Sequence, residues 1–127
     1  MWELSVRLDF SAAHQLRNYK GRCEQMHGHN WVVEIRVRSR ALDGCGLAMD
    51  FGDIRGAARR VLDTLDHRLL NDQGPFLQVN PSAENIAAYI YREMAPSIPA
   101  PCALHAVTVY ETPEMSATYR EVGHVDD

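Results

Sequence analysis

The sequence predicts an α+β protein whose elements follow the order strand, strand, helix, helix, strand, strand. The prediction rests on two periodicities and on chain length. Apolar and polar residues alternate near both ends of the chain, as in strands that bury one face. Between these regions, apolar residues recur at the three- and four-residue spacing of helices. With 127 residues in all, we expect a single domain over residues 1–127.

The first two predicted strands flank a long connection. Residues 4–10 alternate between apolar and polar types, and so do residues 30–38. This pattern leaves residues 11–29 without predicted regular structure. Compact domains rarely keep a connection of that length unless it has a function.

Two helices and two more strands complete the predicted order. A short extended segment over residues 47–51 leads into the first helix, for which Asp53 is the expected N-cap. Ser82 is the expected N-cap of the second helix, which ends before a group of prolines. Two further strands are predicted over residues 104–111 and 116–122, around a proline-containing turn.

The composition argues against several classes of protein. Hydrophobic residues make up 46% of the chain and charged residues 24%, as in ordinary globular proteins. No apolar run approaches the roughly 20 residues of a membrane-spanning helix. The net charge of −4 argues against non-specific nucleic-acid binding. Because the chain opens on a strand pattern instead of a signal peptide and its three cysteines lack disulfide spacing, we expect a cytoplasmic protein.

Three histidines give the strongest functional signal. His27 and His29 are two positions apart at the start of the second strand pattern, so their rings lie on one side if the strand includes them. A catalytic zinc ion usually has three protein ligands and an open fourth position. We therefore predict a zinc site at His14, His27 and His29. One alternative is that His27 and His29 are ordinary exposed residues on a strand edge. Another is a closed structural zinc site, which needs four ligands and usually paired cysteines.

Other residues in the sequence have catalytic chemistry. A thiolate at Cys23 would be stabilised by a nearby dication and by Arg22, which favours a base or nucleophile over an inert cysteine. Asp66 can orient His67 and raise its basicity, although a histidine near a helix end also has structural uses. Glu111 continues the apolar face of its strand, so it either turns to solvent or meets a ligand with two adjacent N–H donors.

Three basic residues lie in the predicted connection. They are Arg17, Lys20 and Arg22. They either meet an anionic substrate or are simply solvated.

Six motifs occur in order along the chain. They are Phe-Ser-Ala-Ala-His at 10–14, Cys-X-X-X-His-Gly-His at 23–29, Met-Asp-Phe at 49–51, Leu-Asp-His-X-X-Leu-Asn at 65–71, Asn-Pro-Ser-Ala-Glu-Asn at 80–85 and Glu-Thr at 111–112. Together they resemble the 6-pyruvoyl-tetrahydropterin synthase and 6-carboxytetrahydropterin synthase family over nearly the whole chain.

The resemblance implies a fold, an assembly and a substrate. The fold is the tunnelling fold, with a four-stranded antiparallel sheet and two helices on one face. The assembly is a homo-oligomer, typically a hexamer made of two trimers, with active sites between subunits. The substrate is a small-molecule pterin, 7,8-dihydroneopterin triphosphate, whose side chain is held by zinc on His14, His27 and His29. Neither nucleic acid nor membrane is an expected partner.

The resemblance also assigns roles to other residues. Cys23 is the general base, and Asp66 and His67 form a proton relay. Glu111 anchors the amino-pyrimidine edge of the pterin. The pterin pocket is lined by Ser82 and Glu84, with Ala83 where many relatives have a second hydroxyl.

The spacing of the cysteine motif favours one branch of the family. Cys23 precedes His27 by four positions, which resembles the bacterial 6-carboxytetrahydropterin synthases of the queuosine pathway, whereas animal-type 6-pyruvoyl enzymes have a longer gap. Glu24 keeps a second branch open, because Glu-X-X-His-Gly-His resembles relatives that form 6-hydroxymethyl-dihydropterin for folate synthesis, or both products. Otherwise Glu24 is a solvated loop carboxylate. A non-catalytic zinc module is the remaining alternative.

Overall fold

The computed structural model describes residues 1–21 and 24–121 as a mixed sheet covered by two helices. In chain order the elements are β1 (Trp2–His14), β2 (His27–Ser39), α1 (Phe51–Leu62), β3 (Arg68–Leu69), α2 (Ala83–Met94), β4 (Cys102–Thr112) and β5 (Met115–Tyr119). The predicted order of long elements is therefore confirmed. The last residue of the predicted final strand, Val122, lies outside the described residues.

The sheet has five strands in the order β3-β1-β2-β4-β5, so the predicted four-stranded antiparallel sheet is wrong. The four long strands pair antiparallel, as expected. The additional strand β3 pairs parallel to β1, with Arg68 opposite Ala12 and Leu69 opposite Ala13. Two residues are too few to show an alternating pattern, and their partners lie far away in the sequence. Sequence periodicity therefore could not reveal this strand.

The first two strands extend well into the predicted connection. In their ladder, His14 lies opposite His27 and Ala12 lies opposite His29. The connection is therefore residues 15–26, shorter than the predicted 11–29. Alternation was hidden here because the inward positions carry alanine and histidine instead of large apolar side chains.

Both helices pack on the same face of the sheet. Alternate residues of β1 and β2 point into one core that also contains the apolar faces of α1 and α2, including Ile54 and Ile90. The N-cap of α1 is Asp50, whose carboxylate accepts the N–H of Gly52 at 2.7 Å, and the predicted cap Asp53 lies inside the first turn. Ser82 caps α2 as predicted. No helix in the described ranges is long and apolar enough to cross a membrane.

The opposite face of the sheet carries paired charges. Glu34 is buried on β2 and accepts hydrogen bonds from Arg7 on β1 and from Arg36. Burial alone would raise the pKa of Glu34, but the hydrogen bonds from the two guanidinium groups outweigh it and hold the pKa below its usual value. This face is therefore held together by ionic hydrogen bonds, while the helix-covered face is apolar.

Candidate metal centre and active site

Three histidines and a glutamate converge where β1 ends and β2 begins. The ligand atoms of His14, His27, His29 and Glu111 all lie within 4.8 Å of one another. The strand ladder brings the histidines together, because His14 and His27 are directly paired and His29 follows two positions later on the same side of β2. The predicted grouping of the three histidines is therefore present, and Glu111 is added to it.

The hydrogen bonds of two rings fix which nitrogen faces the centre. His14 Nδ1 donates to the carbonyl of Pro81 at 2.8 Å, and His27 Nδ1 donates to the carbonyl of Gln25 at 2.8 Å. A carbonyl oxygen can only accept, so in the neutral rings Nδ1 carries the proton and Nε2 presents a lone pair. The two Nε2 atoms nevertheless lie 3.1 Å apart. Such a contact between two acceptors needs a positive species between them.

The remaining two groups point to a cation rather than a proton. His29 Nε2 is buried and has no hydrogen-bond partner in the described part of the chain. The Glu111 carboxylate lies 3.2 Å from His14 Nε2 and 3.6 Å from His29 Nε2. One proton bridges one pair of acceptors, whereas one metal ion satisfies all four. Three imidazoles and a carboxylate are donors that suit zinc and similar dications, so the residues present fit the expected metal.

The burial of His29 favours its metal-binding form. Burial is the main reason that the pKa of His29 lies below its usual value, and the nearby Glu111 carboxylate only partly opposes this effect. A lowered pKa keeps the imidazole neutral, and the neutral ring is the form that donates a lone pair to a metal.

Trp31 forms the floor of the centre. Its ring makes edge contacts with His14 and His29, with centroids 4.8 and 5.1 Å apart. The indole N–H donates to the carbonyl of Ala12 at 3.2 Å, which fixes the ring. This role was not predicted from the sequence, although Trp31 lies two positions after His29 and therefore on the same side of the strand. Packing against a rigid aromatic ring limits the orientations that the two imidazoles can adopt.

A bulge in β4 positions Glu111. Tyr110 pairs with Ser116 on β5, but Thr112 pairs with Met115, so Glu111 is an extra residue between them. Bulges of this kind are common near functional sites because they redirect a side chain. The sequence predicted that Glu111 would face solvent or a ligand, and here its carboxylate contacts the histidine cluster.

Asp66 and His67 are in direct contact after α1. Asp66 Oδ1 lies 3.0 Å from His67 Nδ1 and also accepts the N–H of Ser11 at 2.9 Å. This N–H is the main reason that the pKa of Asp66 lies below its usual value. His67 has a positive φ of 59° and donates its own N–H to the carbonyl of Ser11 at 2.6 Å. Both residues are thus fixed to β1, with the His67 imidazole 82% exposed.

An open cleft connects the histidine cluster with this pair. The cleft has a volume of about 430 Å³, and its lining includes His29, His67, Gly28 and Ala13. This volume is in the usual range for small-molecule sites, roughly 300–1,000 Å³. The metal centre and the predicted relay histidine therefore border the same space.

Two asparagines hold the connection between β1 and β2. Asn71 accepts the N–H of Gln15 and donates to its carbonyl, and Asn80 does the same with Arg17. Each side chain thus replaces a strand partner for one residue of the connection. Both asparagines belong to motifs visible in the sequence, but no role was predicted for either.

Charged residues of this connection have structural partners. The Arg17 guanidinium donates to the carbonyls of Val79, Asn71 and Phe76, which differs from both alternatives considered for it, contact with an anionic substrate and simple solvation. Glu24 accepts the N–H of Leu16 at 3.1 Å, which corrects its description as a solvated carboxylate. Arg22 and Cys23, the predicted base, lie outside the described residues.

The segment before α2 contributes backbone to the centre. The carbonyl of Pro81 fixes His14, while the Ser82 hydroxyl accepts the N–H of Asn85 at 3.2 Å as the helix cap. Glu84 is exposed in the first turn of α2. Within the part of the chain that the structure describes, no hydrogen bond or ion pair joins Ser82 or Glu84 to the histidine cluster. Their predicted role in a pterin pocket stays a prediction.

Comparisons with known proteins agree with this geometry. Residues 3–122 match the model of the 6-pyruvoyl tetrahydropterin synthase family. The chain is 31% identical over 115 residues to a 6-carboxy-5,6,7,8-tetrahydropterin synthase of Rickettsia typhi, with 77% of this chain and 83% of that protein covered. These matches confirm the resemblance stated from the motifs.

Two solved structures are similar across the fold. A 6-pyruvoyl tetrahydropterin synthase of Caenorhabditis elegans has a TM-score of 0.82 and 28% identity, covering 94% of this chain and 95% of that one. A Plasmodium vivax 6-pyruvoyltetrahydropterin synthase, a mutant in which a catalytic glutamate is replaced by alanine, has a TM-score of 0.79 and 26% identity, covering 94% and 97%. The tunnelling fold is thereby confirmed, with the corrected five-stranded sheet.

Proposed function

The chain belongs to the 6-pyruvoyl tetrahydropterin synthase family, and we propose that it is a zinc-dependent 6-carboxy-5,6,7,8-tetrahydropterin synthase. In this proposal it is a carbon–carbon lyase that converts 7,8-dihydroneopterin triphosphate into 6-carboxytetrahydropterin, acetaldehyde and triphosphate. The observation that carries the proposal is the convergence of three imidazole nitrogens and a carboxylate beside an open cleft. The name of the Rickettsia typhi relative supports the choice of product.

The metal would be held by His14, His27 and His29, where it would polarise hydroxyl groups of the substrate side chain and lower their pKa. The chain's own groups would then move the protons. Asp66 holds His67 by its Nδ1, which leaves Nε2 free for proton transfer in the cleft. Cys23 is the proposed general base.

The carboxylate of Glu111 gives the site a means of orienting a pterin. Two carboxylate oxygens match two adjacent N–H donors in a fork, and such paired hydrogen bonds are both strong and directional. Glu111 lies at the exposed rim of the centre, with 33% of its side chain accessible. Glu111 does not line the cleft itself, but its carboxylate lies 3.6 Å from His29 Nε2, and His29 does line it, so a pterin that extends past His29 would reach the carboxylate. Ser82 and Glu84 are the remaining proposed contacts of the pterin.

A homohexamer, formed as a dimer of trimers, would complete the site. The His67 ring is largely exposed and Glu84 is exposed, so within one chain both lack the enclosure that catalysis in a dry site requires. Exposed apolar side chains also occur at the strand ends, with Trp2 46% and Met115 64% accessible. Association of subunits along sheet edges would cover such positions.

The spacing of Cys23 and His27 supports the queuosine pathway as the place of this reaction. The alternative is the formation of 6-hydroxymethyl-dihydropterin, alone or as a second product, with Glu24 as the base. A catalytic glutamate in the Plasmodium vivax relative favours keeping this alternative. Against it, Glu24 Oε1 already accepts the N–H of Leu16, which stabilises the ionised carboxylate and makes it a weaker base. A 6-pyruvoyl product is the third possibility within the family.

Product analysis by mass spectrometry tests the proposal. Zinc-loaded protein is incubated with 7,8-dihydroneopterin triphosphate, in parallel with Cys23→Ala and Glu24→Ala variants. We expect 6-carboxytetrahydropterin, lost in Cys23→Ala and kept in Glu24→Ala. A 6-hydroxymethyl-dihydropterin product that disappears in Glu24→Ala would replace the proposal with the folate branch.

A further inference from the structure

Three distances among the four ligand atoms are close to those of a four-coordinate site. In a tetrahedral zinc site with bonds of about 2.0–2.1 Å, neighbouring ligand atoms are about 3.3 Å apart. Three of the separations here are 3.1 Å for His14 and His27, 3.2 Å for His14 and Glu111, and 3.6 Å for His29 and Glu111. Glu111 thus stands at nearly the same spacing from His14 and His29 as His14 stands from His27, and all four ligand atoms lie within 4.8 Å of one another.

We propose that Glu111 is the fourth ligand of the metal in the substrate-free protein and leaves it when a pterin binds. The inference rests on the proposed function for the identity of the pterin, but not for the ligand role of Glu111. In the bound state the carboxylate would accept the pterin N–H groups, and a hydroxyl oxygen of the side chain would take the vacated position. Glu111 would therefore alternate between two partners.

The surroundings of the four ligands differ in a way that makes Glu111 the one to leave. The side chain of His14 is 1% exposed and bonded to Pro81, and His27, although exposed, is held by its hydrogen bond to Gln25. Glu111 is 33% exposed, and within the described part of the chain no hydrogen bond holds its carboxylate elsewhere. Releasing it therefore costs only its contacts to the metal centre.

The charge of the site would change with this exchange. Three neutral imidazoles leave the full charge of a dication, whereas the Glu111 carboxylate cancels one unit of it. The acidifying effect of a metal on bound oxygen depends on that local charge. With Glu111 bound, the centre would be closed and less acidifying, and release of Glu111 on pterin binding would restore the stronger field. The site would then be fully active only when substrate is present.

Zinc affinity without any pterin tests the ligand role. Apo protein and the isosteric Glu111→Gln variant are titrated with zinc against a chelator, with Glu114→Gln, an exposed carboxylate in the adjacent turn, as the control. We expect Glu111→Gln to weaken zinc binding by about tenfold or more, since even indirect partners of ligands contribute about 10–100-fold. Glu114→Gln should bind like the wild type. Equal affinity in Glu111→Gln and wild type, with unchanged circular dichroism, would overturn the proposal.

Cobalt substitution tests the exchange. The visible spectrum of the Co²⁺ protein is recorded with and without 7,8-dihydroneopterin, which has the side chain but no triphosphate to lose, while binding is measured separately by equilibrium dialysis. We expect the wild-type spectrum to change on binding and to approach that of pterin-bound Glu111→Gln. Binding with an unchanged spectrum would reject the exchange.

Absence of pterin binding would reject both the exchange and the proposed function. The zinc titration would still report on the ligand role of Glu111, which separates the two failures.

Discussion

His14 on β1 and His27 on β2 are direct partners in the strand ladder, and their Nε2 atoms face each other at 3.1 Å. Each Nδ1 donates to a backbone carbonyl, so the contact joins two acceptors. Backbone pairing has thus built a site that is electrostatically complete only with a cation. The same site contains Glu111 from β4. In the sheet, β4 is the neighbour of β2 on the side away from β1.

Removal of the metal should abolish activity but leave the fold. The core beneath the sheet consists of apolar residues from β1, β2, β4 and both helices. None of the three clustered histidines belongs to this core. Chelated protein should therefore keep its far-ultraviolet circular dichroism, and activity should return with added zinc. Complete loss of secondary structure on chelation would instead identify a structural metal site.

Replacement of His67 by asparagine should slow catalysis without loss of metal. Proton transfer by a positioned side chain contributes typically about 10²–10⁴-fold, so kcat should fall by that order. Zinc stoichiometry should stay at the wild-type value because His67 is not among the four clustered ligand groups. The matched control is Asp63→Asn, an exposed position shortly before this pair. A variant that loses zinc together with activity would contradict the assignment.

Glu34→Gln should destabilise the sheet at neutral pH. The carboxylate accepts hydrogen bonds from Arg7 and Arg36, and hydrogen bonds to charged groups contribute about 1.5–3 kcal/mol. We expect a loss of about that size in urea unfolding. The control is Glu3→Gln on the same face, whose more exposed ion pairs should contribute about 0–1 kcal/mol.

The contribution of Glu34 should also depend on pH with a definite sign. Its pKa is lowered in the folded protein, so the unfolded state binds the proton more readily. The stability from Glu34 is therefore complete above the usual carboxyl pKa and declines as pH falls through the lowered value. The difference in stability between wild type and Glu34→Gln should accordingly shrink in acid. A constant difference from pH 7 to pH 3 would contradict this account.

Asn80→Ala should loosen the connection between β1 and β2. The Asn80 side chain bonds both the N–H and the carbonyl of Arg17, so its loss leaves two backbone groups without these partners. We expect faster hydrogen exchange of residues 15–21 and a loss of stability of about 1–3 kcal/mol. The nearby exposed Gln78→Ala is the control. Unchanged exchange in Asn80→Ala would show that other contacts fix the connection.

Local patterns predicted the long strands, both helices and the histidine set. Alternation and helical spacing each depend on residues close in sequence, and the Ser82 cap also acts within one turn of α2. Sequence patterns failed to predict an element where its deciding contacts join residues far apart in the chain, or where its inward positions carry residues other than large apolar ones. The cap of α1 is Asp50 because its carboxylate reaches Gly52, a difference of three positions that periodicity could not resolve.

The sequence by itself determined which side chains are available for metal binding and on which face of β2 they lie, because strand parity is a local property. Only the tertiary structure decided that Glu111 joins them, through a bulge in β4 and the pairing of distant strands. It alone also placed Pro81 behind His14 and the short strand β3 beside β1. These contacts join residues far apart in the chain, and their formation depends on the packing of the whole sheet.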